Sequence, residues 1–85
     1  MNTQTYHQVN ISELVTMFKS LNQRTKMRIA RAFNKQYGLG EDSTVFSRLI
    51  AGRIPFCYDE FEFLCPLILQ NYEFEKIAKE WKAVT

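Results

Sequence analysis

Residues 23–38 read QRTKMRIARAFNKQYG, and the fold is decided on this stretch. At about 100° per residue, Ile29, Ala30, Phe33 and Tyr37 share an arc of roughly 100°. Arg24, Arg28, Arg31 and Lys35 share an arc of roughly 60° on the opposite side. One face is therefore apolar and the other cationic, the signature of an amphipathic helix lying on a core. Gly38 stops it. No acid interrupts the cationic row, although like charges at this spacing cost an isolated helix ~0.2–0.5 kcal/mol per adjacent pair. Cations on a helix face are often only solvated. A row of a single sign at this cost favours an anionic partner.

Upstream, Asn10 and Glu13 have capping-box spacing ahead of a stripe formed by Ile11, Leu14, Val15, Phe18 and Leu21. A first helix is expected over residues 11–21, and Asn22 separates it from the second. The residues before it form a polar tail, 1–9, that contains the lone His7, and residues 10–85 form a single domain. Downstream, the segment from Gly38 to Asp42 reads as a loop, and Asp42 or Ser43 caps a short third helix over residues 43–51 that ends at Gly52. Val45, Phe46, Leu49 and Ile50 fill its inner face. Ser43, Thr44, Ser47, Arg48 and Ala51 form an outer face of small hydrogen-bonding groups and one cation, which suits close approach to a polar surface such as base edges.

After Gly52-Arg53-Ile54-Pro55, a helix is expected from Tyr58 to about Leu69, kinked or restarted at Pro66. A last helix runs from Glu73 to Lys82. Its stripe of Phe74, Ile77, Ala78 and Trp81 serves as core or as the seam of a homodimer through the C-terminal helix, and Glu75–Lys79 has ion-pair spacing. The fold class is all-α, a small bundle of four to five short helices.

Eighty-five residues and 10.1 kDa bury a little under two thirds of the chain's surface, enough for one modest core. A multidomain enzyme, a solenoid and a dinucleotide-binding domain are excluded by size. Three Gly and two Pro are too few for an all-β domain, which turns every 8–12 residues. The first ten residues lack the apolar core of a signal peptide, and no apolar run approaches transmembrane length. A cytoplasmic protein is expected, not bound to a membrane, with Cys57 and Cys65 as reduced, buried thiols rather than a disulfide.

The net charge of +2 hides a polarity. Residues 1–53 hold eight Lys/Arg against three acids, and residues 54–85 hold three Lys against six acids. The basic part attracts nucleic acid or an acidic protein, and the acidic part would then face away from DNA. One His and two Cys make no zinc site, and the acids Asp59, Glu60 and Glu62 suit the first turn of a helix. No glycine run has phosphate-loop spacing. No metal, cofactor or small-molecule substrate is implied, and an enzyme is not expected.

From Arg28 to Leu64 the order of elements resembles the helix-turn-helix domains of phage repressors and Cro-like regulators. Gly38-Leu39 stands at the turn, and Ser43-Thr44-Val45-Phe46-Ser47-Arg48-Leu49 stands in the position of the recognition helix. Gly52-Arg53-Ile54-Pro55 then leads to Glu60, Phe61, Phe63 and Leu64. The chain departs from that pattern in a turn longer by about two residues, in Asn34 where the family packs a small residue, and in a longer helix before the turn. The resemblance places a helix-turn-helix candidate at residues 23–52 and implies sequence-specific binding of double-stranded DNA by a small transcriptional regulator. It implies base contacts from Ser43, Thr44, Ser47 and Arg48, and phosphate contacts from Arg24, Arg28, Arg31, Lys35 and Arg53. The alternative is a charge-polarised helical module that binds another protein and not DNA.

Overall fold

Asn10 opens the first helix, α1 (Ile11–Ser20), through a complete capping box. Its side chain accepts from the Glu13 N–H at 2.8 Å, and its own N–H donates to Glu13 Oε1 at 3.0 Å. The computed structural model describes residues 9–84, and the side chains of residues 9–81. The polar tail expected over residues 1–9, His7 included, lies outside the described residues except for Val9. That residue packs on the core cluster containing Leu14, as the residue ahead of a cap does in a hydrophobic staple.

Asn22 caps α2 (Gln23–Gln36) by accepting from the Thr25 N–H at 2.9 Å. At its far end the Leu39 N–H donates to the Asn34 carbonyl at 2.7 Å, around Gly38 at φ +66°. A third helix, α3 (Val45–Ala51), ends in the same way. The Arg53 N–H donates to the Arg48 carbonyl at 2.9 Å and the Gly52 N–H to the Leu49 carbonyl at 3.1 Å, with Gly52 at φ +81°. Both are Schellman endings, in which a left-handed residue lets the chain reverse onto the last carbonyls. Nothing lies within 4 Å of a Cβ built at either glycine, so backbone conformation and not crowding selects Gly there.

Two boundaries differ from the sequence reading. The short helix begins at Val45 and not at Ser43, because the Ser43 hydroxyl accepts from the Val45 N–H at 3.2 Å and holds a turn ahead of the helix. The two C-terminal helices are a single helix, α4 (Tyr58–Val84), that runs through Pro66 without a new start. Proline removes one N–H from the ladder. Leu64, Cys65 and Ile68, all fully buried around Pro66, hold the helix to the bundle across that gap. The described residues thus form a bundle of four helices with one long member. Twenty-seven residues at ~1.5 Å each account for its long dimension of 42 Å.

α4 is the spine on which α1 and α2 pack, and α3 packs on α2. Aromatic rings join the layers. Phe46 of α3 meets Phe18 of α1 edge-on, with centroids 5.2 Å apart, and meets Phe33 of α2 at 5.2 Å. Phe33 in turn lies 4.8 Å from Tyr37, whose ring meets Phe63 of α4. Both cysteines are free. Cys65 is buried, and that burial pushes its thiol upward. Cys57, immediately ahead of α4, is exposed, contrary to the buried pair expected.

The Tyr37 hydroxyl donates to Asp59 Oδ2 at 2.7 Å and ties the end of α2 to the start of α4. Burial and then the Asp59 hydrogen bond raise its pKa well above the usual tyrosine value. The folded chain therefore keeps this proton where the unfolded chain releases it, so stability falls as pH rises above ~10. Urea unfolding of Tyr37→Phe beside the native protein should show a smaller loss between neutral pH and that range. Equal losses in the two proteins would mean that the pair adds nothing.

Candidate nucleic-acid interface

The capped start of α2 carries more than the local sequence shows. The Asn22 N–H donates to Glu75 Oε1 at 3.0 Å, and the Thr25 hydroxyl donates to Glu75 Oε2 at 2.7 Å. A carboxylate from α4 thereby occupies the positive end of α2, where free N–H groups and the helix dipole favour an anion. Thr25 is buried, and Arg28 Nη2 reaches its hydroxyl at 3.5 Å. Both Glu75 oxygens are thus engaged away from Lys79, the partner expected from helical spacing. The C-terminal half of α4 does not turn away from the basic helix either. Arg24 and Arg28 line one depression together with Asn71, Phe74, Glu75 and Lys79.

Arg24, Arg28, Arg31 and Lys35 are all exposed along one side of α2, as their spacing predicts. Their surroundings split in two. Arg24 and Arg28 border α4, whereas Arg31 and Lys35 border an open cavity of about 590 Å³ that also touches Met27, Asn34, Leu39 and Glu41. The row has no acid of its own, yet the fold brings Glu75 to one end and Glu41 to the other. Within the cavity wall, Asn34 Oδ1 is buried with no hydrogen-bond partner. This is the position where the helix-turn-helix pattern has a small residue.

On α3, Thr44, Ser47 and Arg48 are exposed and Ser43 is half-buried. The Ser43 hydroxyl is already engaged by the Val45 N–H, which sets it apart from the other three candidates for base contact. Ser47 lines a groove of about 370 Å³ with Lys19, Lys26, Met27, Phe46 and Ile50. Arg48 and Arg53 are exposed on either side of the Schellman turn, joined through their backbones at 2.9 Å. Lys19 and Lys26 are cations that the sequence reading left aside. They belong to neither helix's obvious polar row, and only the packing of α1 and α2 against α3 brings them beside Ser47.

Among the described residues, no three His, Cys, Asp or Glu side chains stand together as a metal site would require. No helix among them is long and apolar enough to cross a membrane. No protein-family model matches the chain, and no curated protein or solved structure is significantly similar to it.

Proposed function

We propose that this domain binds double-stranded DNA in a sequence-specific way, as a small transcriptional regulator does. The observation that carries the proposal is the exposure of Arg24, Arg28, Arg31, Lys35, Arg48 and Arg53 together on a chain whose net charge is only +2. Cations kept at the surface of a small domain supply phosphate neutralisation and counterion release. Thr44, Ser47 and Arg48, on the solvent side of α3, would carry base contacts, and Ser43 would only position the turn. A homogeneous random duplex titrated at several salt concentrations tests the first half. Log K should fall linearly with log salt, by about 0.9 per phosphate contacted. Arg28→Ala with Arg31→Ala should flatten that line by roughly one to two units. Folded protein that fails to retard DNA at low salt would sink the proposal.

One observation favours a second reading, a protein-binding module. The groove beside Ser47 has an apolar floor of Met27, Ala30, Phe46 and Ile50 and a rim of Lys19 and Lys26. That is the complement of an acidic amphipathic helix. In this reading a captured partner survives nuclease treatment of the lysate, whereas in the first reading it is released.

A further inference from the structure

We propose that an acidic amphipathic helix of another protein docks along one trough that follows α2, from the groove beside Ser47 into the cavity beside Arg31 and Lys35. The proposal rests on the protein-binding reading and enlarges its site.

The groove of about 370 Å³ and the cavity of about 590 Å³ are both lined by Met27 and Ala30, so they adjoin on the surface of α2. Gln23 lines the first and Asn34 the second. Residues 23, 27, 30 and 34 follow in steps of four, three and four, the spacing by which one helix stays in contact with another. At ~100° per residue they share an arc of about 60°, and they span about 16 Å of the helix, or three turns. This arc is neither that of the buried Ile29 and Phe33 nor that of the exposed Arg24, Arg28, Arg31 and Lys35. It is a third face of α2, and no other helix of the bundle covers its centre, since Met27 is 46 % exposed.

Charge complementarity names the occupant. Lys19 and Lys26 stand at one end of the trough, and Arg31 and Lys35 stand at the other. Among the described residues, Glu41 is the only acid that lines either part. The floor and walls between these cations are apolar, with Met27 and Ala30 in the middle, Ile50 on the α3 side and Leu39 at the far end. A DNA backbone matches the cations but brings little apolar surface to cover Met27, Leu39 and Ile50. A helix with apolar residues at i, i+3 or i+4, and i+7, flanked by Asp and Glu, matches both. Ala30 at mid-trough leaves room for a close approach of the two helix axes. The flexible thioether of Met27 adapts to the side chains laid on it. Arg31 and Lys35 also belong to the cationic row of α2, so a docked helix and DNA phosphates exclude each other at these two residues.

The test is selection from a displayed library of random peptides, each of about 14 residues or four helical turns, on the folded full chain. Enriched sequences should carry apolar residues at helical spacing with acids beside them. One such peptide, synthesised with a fluorophore, is then titrated by anisotropy at physiological salt, where charges more than about 8 Å apart are largely screened. Met27→Ser should weaken it about tenfold by removing apolar contact at the centre. Ser47→Glu at one end and Lys35→Glu at the other should each weaken it about fivefold. All three side chains are exposed, so the helical signal should not change. Weakening by Ser47→Glu and Met27→Ser but not by Lys35→Glu would confine the partner to the groove beside Ser47; the protein-binding reading would stand and the longer trough would fall. No enrichment, enrichment without acids, or peptides indifferent to Met27→Ser would overturn both. Duplex DNA weakened by Met27→Ser as strongly as the peptide would make DNA the occupant, and self-association abolished by the same substitution would make a second copy the occupant. Either result overturns the proposal.

Discussion

Phe33→Ala is expected to cost about 3–5 kcal/mol of folding stability, the range for deleting a buried aromatic ring. Phe33 is fully buried, and its ring stands between Tyr37 on its own helix and Phe46 on α3. Phe46 continues the chain of rings to Phe18 of α1. Removing Phe33 therefore opens a cavity between α2 and α3 and strips the central ring from the series. At roughly 0.05–0.15 kcal/mol per residue, a domain of this length has about 4–13 kcal/mol in total. The variant should consequently be largely unfolded at the low end of that range, and at the high end its urea midpoint should fall steeply with an unchanged slope. Phe33→Leu, which refills part of the space, should lose less. A loss under about 1 kcal/mol for Phe33→Ala would show that α3 is not held through this ring.

The contribution of Phe33 was legible in the sequence, and that of Glu75 was not. Phe33 sits on a helical period, and periodicity is local. The caps at Asn10 and Asn22 and the endings at Gly38 and Gly52 were legible for the same reason, since each is made by residues within a few positions of one another. Pro66 carries a local signal that points the wrong way. A missing N–H argues for a break, and only the burial of Leu64, Cys65 and Ile68 against other helices overrides it. Glu75 reaches Thr25 and Asn22 across fifty and more positions, so nothing near it in the chain announces the contact. Helical spacing offers Lys79 instead. The candidate interface divides along the same line. Exposure of the α2 row follows from its period. Its separation into one pair beside α4 and another beside the 39–41 loop is set by packing.

Arg48→Ala should separate reading of DNA from mere attraction to it. Arg48 is exposed in the last turn of α3, and its backbone carbonyl, not its side chain, accepts the Arg53 N–H of the helix ending. Truncating the side chain leaves that hydrogen bond in place. It removes a cation from the negative end of the helix, an effect of about 0.3–1 kcal/mol at an exposed site. Folding stability should therefore change by well under the cost of Phe33→Ala. At a cognate site the loss should reach about 1–3 kcal/mol if the guanidinium makes a bidentate contact with a guanine, which is roughly a 5- to 150-fold weakening. On random duplex the loss should be much smaller, because one phosphate contact among several is the most that Arg48 can contribute there. Selection from a randomised duplex pool supplies the cognate sequence, and titration of native and variant protein on both DNAs gives the comparison. Equal weakening on the two would assign Arg48 to phosphate and remove α3 as the reading helix. An unfolded variant would make Arg48 a structural residue, and base contact would then rest on Thr44 and Ser47 alone.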